Sequence, residues 1–379
     1  MPSKRFDTTW QAEPHTIAKI TILEAYLQAW FPIMGRTMRN QDILYIDGFA
    51  GPGEYTNYEK GSPVAAINAA VSALENSGRD WKAGSIHCAF IEPDTKRCEH
   101  LKKVIEKITS PDRLKTHFFN STFTDGLKQL KTEFPKMFSH ANPLFVFIDP
   151  FGATGAPFTE VTEILKSPRS EVLINFDVDG VARIFLAEKD ARSDELLNGV
   201  FGNNDWMSRL KGISDFHQLC LEALNLYKEN LRRLPKIKYV FAFEMRSKSG
   251  ILNYFLVFAS QHPLGLEKMK EAMKKVDQTG GYSFSDAHLK SQILFRFDQP
   301  EDFSMEIFDL FKDKTVTYSE LRDFALNETP FINPKAMLRD LEGKGLIIVS
   351  SSDPKRRAGT FNEDKIKAIT FKEGKDSGR

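Results

Sequence analysis

Two short runs bring together residue types that could hold a ligand. The first is Asp47-Gly48-Phe49-Ala50-Gly51-Pro52-Gly53, which follows the apolar run Ile43-Leu44-Tyr45-Ile46. Glycines at a strand-to-helix turn let the backbone pass close to a ligand, and ligands of open α/β sheets sit beyond the carboxyl ends of the strands. The second is Phe90-Ile91-Glu92-Pro93-Asp94. A carboxylate at the tip of a second strand can accept bonds from both hydroxyls of a ribose. Together the runs point to an adenosine-containing cofactor, with Asp47, Gly48, Phe49, Ala50, Gly51, Gly53 and Glu92 as candidate binding residues. S-adenosylmethionine and a dinucleotide both stay open, although the glycines do not follow G-x-G-x-x-G, which counts against the dinucleotide. The plain alternatives are a tight turn and a solvated glutamate at a strand end.

Two further runs bear on chemistry. After a third strand comes Asn120-Ser121-Thr122-Phe123. In methyltransferases a side chain at this point bonds the adenine amine and an aromatic covers the ring, so Asn120 and Phe123 are candidates; a cap or turn role for Asn120 is the alternative. A fourth strand ends in Phe147-Ile148-Asp149-Pro150-Phe151-Gly152. This resembles the Asp-Pro-Pro-Tyr element of amino-group methyltransferases. The resemblance implies that Asp149 and the Pro150 carbonyl accept bonds from a target NH2 while Phe151 stacks on the base. The third position here is Phe and the fourth Gly, so the aromatic stands one place early; a strand-end Asp-Pro turn is the alternative. Asp177, Asp179 and Arg183 follow a fifth strand and are expected near the substrate mouth, with a solvated loop as the alternative.

These residues need a sheet to position them. Residues 15–31 carry apolar side chains at three- and four-residue spacing, an amphipathic helix. Strand-like runs at 43–46, 87–91, 116–119, 144–148 and 171–176 alternate with helical segments at 64–76, 94–108, 124–138 and 157–166. That alternation predicts βαβ units and a parallel sheet. Residues 183–233 read as a helical insertion, and 239–246 with 253–260 as a hairpin around Ser247-Lys248-Ser249-Gly250. A seven-stranded sheet ending in a hairpin is the class I methyltransferase layout, a Rossmann-like α/β fold. Residues 263–300 read as connecting material with a charged helix at 266–276. Beyond Pro300 three short helices, 305–311, 319–327 with Ser319 as N-cap and 334–343, precede two strands around a polar loop. That is the pattern of a C-terminal winged helix-turn-helix domain. The expected division is therefore 1–300 and 301–379, with residues 374–379 as a loose tail.

Composition limits the function classes. The 379 residues carry a net charge of +1, so no global field draws the chain onto nucleic acid and any basic surface must be local. From Lys335 to Lys372 nine Lys/Arg face five Asp/Glu, and Lys355, Arg356 and Arg357 fall in the wing loop, where they suit phosphate contacts. A wing that touches only protein is the alternative. Cys88, Cys98 and Cys220 form no CxxC pair and no zinc spacing, and read as reduced thiols of a cytoplasmic protein with no metal site. No run of 18 apolar residues is present, so no membrane span is expected.

The run Tyr45 to Tyr55, then Gly61-Ser62-Pro63, Phe90-Ile91-Glu92 and Phe147 to Gly152, resembles the three-Cys-motif partner protein family, TcmP. The resemblance covers roughly residues 15–260, and a winged-helix tail fits members of that family. It implies a methyltransferase-like fold and a partner protein that itself bears the three-cysteine motif. Three functions follow as expectations. The first is methyl transfer from S-adenosylmethionine to a nucleic-acid base amine, in DNA or RNA. The second is a non-catalytic binding module for a partner protein or nucleic acid, favoured by the altered Asp-Pro-Phe-Gly element. The third, a dinucleotide-dependent oxidoreductase, is disfavoured by the glycine spacing and the winged helix.

Overall fold

The computed structural model describes residues 8–138, 142–187, 191–247, 251–286 and 299–372. They form two compact units: one runs to residue 276 and includes 283–286, and the other comprises 277–282 with 299–372.

The first unit is built on eight strands: β1 (Ile43–Asp47), β2 (Ile86–Ile91), β3 (Leu114–Phe119), β4 (Leu144–Ile148), β5 (Ser170–Phe176), β6 (Tyr239–Arg246), β7 (Leu252–Ser260) and β8 (Ser283–Ser285). Their order is β3-β2-β1-β4-β5-β7-β6-β8. The first five pair in parallel, β7 runs antiparallel to both β5 and β6, and β8 adds parallel to β6. β1 and β4 are buried along their whole length, as strands covered on both faces must be. The expected hairpin is thus present, although its turn residues 248–250 lie outside the described residues. β8 was not expected: three residues, Ser-Phe-Ser, are too few and too polar to show a period.

Helix α1 (Pro14–Thr37) precedes β1, and α2 (Ser62–Ser77), α3 (Thr95–Glu106), α4 (Phe123–Glu133) and α5 (Phe158–Leu165) fill the crossovers. Proline opens α1 and α2, where its missing N–H costs nothing. The insertion holds α6 (Val178–Leu186), α7 (Ala191–Phe201), α8 (Trp206–Arg209) and α9 (Phe216–Arg232), and α10 (Pro263–Lys274) follows β7. One core runs through β1, β4, β5 and this helical group, where Phe176 stacks on Tyr227 at 4.3 Å.

Register is what builds the site. In β1, Asp47 lies opposite Phe90 of β2 and Phe147 of β4. Glu92 and Asp149 each follow two residues later, so three acidic residues reach the same edge of the sheet. Strand order reverses between β1 and β4, which makes this edge the topological switch point where open α/β sheets take ligands.

The second unit has its own core. Its elements are α11 (Pro300–Phe311), β9 (Thr315–Val316), α12 (Tyr318–Glu328), α13 (Lys335–Gly343), β10 (Ile347–Ser351) and β11 (Ile366–Phe371). The strands pair antiparallel in the order β10-β11-β9, and Ile307, Leu321, Leu338, Ile369 and Phe371 are buried between them and the helices. The cap of α12 is Thr317, not Ser319: its hydroxyl accepts from the Glu320 amide while Glu320 bonds back to the Thr317 amide. The C-terminal residues 373–379 lie outside the described residues.

Candidate functional site

A cavity of about 240 Å3 opens at the switch point. Its floor is the glycine turn, Phe49 to Tyr55, and its far wall is Asp149 to Gly152 with Asn175 and Tyr254. Trp10, His15, Thr16 and Lys19 close it from the start of the chain.

The turn needs its glycines. Gly51 has φ +62° and Gly53 φ +87°, left-handed conformations that glycine adopts at no steric cost. Beside Gly51 a side chain would have room, with only Trp10 near, at 3.9 Å. Gly48 is different: a Cβ there would lie 2.6 Å from the Phe123 ring. Gly61 also meets the turn at close range, donating its amide to the Gly53 carbonyl at 2.6 Å.

Asp47 is fully buried. It accepts from the Phe49 amide at 3.3 Å. Burial pushes its carboxyl up to about 7 against the opposing bonds from Ser62 and Phe49, and the nearby Asp149 charge adds to the rise. Glu92 is 2% exposed and clamps the turn from the second strand. One of its oxygens takes the Gly51 amide at 3.0 Å and the other the Asp94 amide at 2.9 Å. Burial raises its pKa, and these two amides oppose the rise.

Of the expected cofactor residues, Phe49, Ala50, Gly51 and Gly53 line the cavity, whereas Asp47, Gly48, Glu92, Asn120 and Phe123 are not on its wall. The Asn120 amide donates to the Glu92 and Pro93 carbonyls and its oxygen accepts from Thr95, so the side chain locks the loop after β2. Phe123 is 3% exposed and stacks on Phe49 at 5.3 Å. Asp177 caps α6 by accepting from the Gly180 amide, and Asp179 pairs with Arg183 one turn along. None of these three lines the cavity, so they do not form the expected mouth.

Asp149 sits at the centre of a network that sequence reasoning missed. One of its oxygens is 2.5 Å from Lys19 Nζ, and the other accepts from Asn175 Nδ2 at 2.7 Å. Lys19 is 7% exposed and its ammonium lies 5.5 Å from the centre of the Tyr254 ring. Because Asn175 donates to a carboxylate, its amide orientation is fixed, and its Oδ1 is left buried without a partner among the described residues. The Tyr254 hydroxyl is likewise buried without one. Buried polar atoms without partners are uncommon, and both of these belong to residues that line the cavity. His15 turns to Asp286, 2.8 Å away. The signal for Lys19 was in the sequence: it stands at the spacing of Leu23, Tyr26 and Trp30, on the buried face of α1. Asn175 carried none, being one polar residue inside a strand.

Pro150 already accepts the Gly152 amide at 3.1 Å, and Gly152 has φ +94°. Phe151 is 74% exposed, with its ring edge-on to Trp10 at 6.2 Å. Trp10 is held by residues 54–57: its carbonyl accepts from the Thr56 amide, and Ala12 and Asn57 exchange two bonds.

In the second unit, Arg356 is not free. Its guanidinium makes a bidentate pair with Glu342, two bonds of 2.8 Å, and lies 5.0 Å from the centre of the Phe361 ring. Lys355 and Arg357 remain exposed. Among the described residues no cluster of His, Cys, Asp or Glu could hold a metal, and no helix is long and apolar enough to cross a membrane. Cys88, Cys98 and Cys220 are free and buried.

No family model matches the chain, and no curated protein does. Solved structures do. An O-methyltransferase from Bacillus cereus in complex with SAH is 16% identical over 66% of this chain and 82% of its own, with a TM-score of 0.34. Trm1 from Pyrococcus horikoshii with S-adenosyl-L-methionine is 11% identical over 73% of this chain and 62% of its own, at 0.37. TYW2 from P. horikoshii in complex with MeSAdo is 12% identical over 67% and 66%, at 0.28. At such identities and scores the likeness assigns no activity to this chain.

Proposed function

We propose that the first unit is an S-adenosylmethionine-dependent methyltransferase of class I type, acting on the amino group of a nucleic-acid base. The observation that carries this reading is the orphaned Asn175 Oδ1, held beside Asp149 on the wall of the switch-point cavity. An amide oxygen in that position is an acceptor in want of an N–H donor.

Gly51 leaves its backbone open to a ligand, and Glu92 at the tip of β2 has a second lone pair on each oxygen for ribose hydroxyls. The two orphaned polar atoms lie at the other end, on the substrate side. An adenosine-bearing sulfonium would be held by Gly51 and Gly53 on the cavity floor, with Asp47 and Glu92 behind the turn that they fix. When bound, it supplies an electrophilic methyl group.

The chain's own residues do the rest. Asn175 accepts a hydrogen bond from the target amine and so raises electron density on the nitrogen. Asp149 fixes the Asn175 amide and is itself paired with Lys19. Phe151, exposed at the rim, offers a face to the base. A base in a duplex would be flipped out to reach this depth.

The second unit follows the order helix, strand, helix, helix, strand, strand, which supports a winged-helix reading, with Lys355 and Arg357 as its phosphate-facing charges. The partner bearing a three-cysteine motif is supported by the order of the sequence motifs. Three free buried thiols support a cytoplasmic setting.

One observation favours a non-catalytic binding module. Both oxygens of Asp149 already hold a partner inside the protein, Lys19 on one and Asn175 on the other, as a carboxylate with a structural role does. Transfer of labelled methyl to total nucleic acid separates the readings. The parent should label, and Asp149→Ala and Asn175→Ala should not. Equal labelling by parent and Asp149→Ala would reduce Asp149 to a turn residue, and no labelling by the parent favours the binding module.

A further inference from the structure

At the opposite end of the sheet, where β1, β2 and β3 begin, a groove of about 800 Å3 is lined by Arg36, Arg39, Asn40, Trp81, Lys82 and Arg113. The four cations come from three separate segments: the end of α1, the turn before β2 and the start of β3. All four are exposed, no acidic residue lines the groove, and none of the four makes an ion pair among the described residues. The neighbouring acids are turned to other work or stand outside the groove. Asp42 accepts from the Ser85 amide, and Asp80 and Asp112 do not line the groove.

The segments are tied into one floor. Lys82 and Ala83 donate their amides to the Gly35 carbonyl at 2.7 and 2.9 Å, and Asn40 donates to the Lys82 carbonyl at 2.9 Å. Gly35 permits this: a Cβ there would lie 2.1 Å from the Trp81 ring, which packs against the end of α1 and is only 8% exposed. The Arg113 carbonyl accepts the Ile86 amide at 2.8 Å, joining the third segment to the second. A helix end attracts one or two cations to its carbonyls. It does not explain Lys82 and Arg113, which belong to other elements. In a chain with a net charge of only +1, four unpaired cations on a rigid groove form a local positive field.

We propose that this groove binds the phosphodiester backbone of a nucleic acid. Its ligand is recognised by charge and spacing and not by base, because the indole is buried and offers no stacking face. The proposal needs only binding, so it stands or falls separately from methyl transfer, and its test is run without any methyl donor.

The test uses the full-length chain with fluorescent 30-nucleotide single strands and duplexes of RNA and DNA, in a salt titration. The parent is compared with a variant carrying Arg36→Gln, Arg39→Gln, Lys82→Gln and Arg113→Gln, and with one carrying the four matching changes to Glu. Thermal unfolding and circular dichroism check that both fold. The Gln variant should bind at least tenfold more weakly, and the slope of log K against log salt should flatten by about 2.8 to 3.6, since each of the four phosphate contacts contributes about 0.7 to 0.9. The Glu variant should bind more weakly still. If the folded variants bind as the parent does, or if the parent binds none of the four probes, the proposal is overturned. Loss of binding to anionic phosphatidylserine vesicles, with nucleic-acid binding unchanged, would assign the groove to a membrane surface and overturn it equally.

Discussion

Lys19 Nζ and Asp149 Oδ2 lie 2.5 Å apart, joining the first helix of the chain to the tip of the fourth strand. The lysine side chain is 9% exposed and the carboxylate 22%, so the pair is shielded on one side and open to the cavity on the other. Removing one partner leaves the other charge half-buried. Lys19→Met should therefore destabilise the protein by about 2 kcal/mol, less than the 3–5 kcal/mol of a fully buried pair because Asp149 is partly wet. Combining Lys19→Met with Asp149→Asn should recover most of the loss. Urea unfolding of the four proteins measures the coupling; additive effects would show that the pair is not an energetic unit.

Asp47 predicts a pH dependence. Its carboxyl stands at about 7 in the folded protein against an ordinary value of 3.8. The folded state thus holds the proton more tightly than the unfolded chain. Stability from this group is complete below the ordinary value and is lost as pH rises to about 7. Asp47→Asn removes the dependence. Relative to the parent, the variant should gain a few kcal/mol between pH 4.5 and 8, at about 1.4 kcal/mol per unit crossed. Thermal melts at both pH values check this; a difference that does not change with pH would contradict it.

Gly51 should tolerate no β-branched residue. At φ +62° a valine is strained by about 1–2 kcal/mol and would project beside the ligand. Gly51→Val should unfold at a slightly lower temperature and lose cofactor affinity entirely, whereas Gly152→Ala, with φ +94° but nothing within 4 Å, should lose stability alone. Melting curves with and without ligand separate the two effects.

In the second unit, the three neighbouring cations should part company. Arg356→Ala breaks the bidentate pair with Glu342 and should cost about 1–3 kcal/mol of stability. Lys355→Glu with Arg357→Glu should leave stability within about 0.5 kcal/mol and weaken nucleic-acid binding. A double variant that binds as the parent does would leave the loop as a protein-contact element.

Much of this was legible in the sequence. The five parallel strands and the hairpin showed through because buried strands in this fold are short apolar runs closed by Gly, Pro or an acid. The glycine turn, Glu92 and Asp149 were visible for the same reason, each being the first polar residue after such a run. Asn120 and Phe123 were legible as positions and not as directions. Only the packed structure turns Asn120 onto the Glu92 and Pro93 carbonyls and Phe123 into the core against Gly48. The basic groove could not be read at all, because Arg36, Lys82 and Arg113 meet only through the parallel register of three strands.

The most direct test is calorimetric titration of S-adenosylmethionine into the parent, Glu92→Ala and Asp149→Ala. The account predicts one site in the parent. Glu92→Ala should bind more weakly by about 1.5–3 kcal/mol, since it loses both the ribose bonds and the clamp on the Gly51 amide. Asp149→Ala should bind nearly as the parent does, because that residue serves the acceptor side. No heat in the parent, or equal affinity in the parent and Glu92→Ala, would contradict the assignment of this cavity to the cofactor.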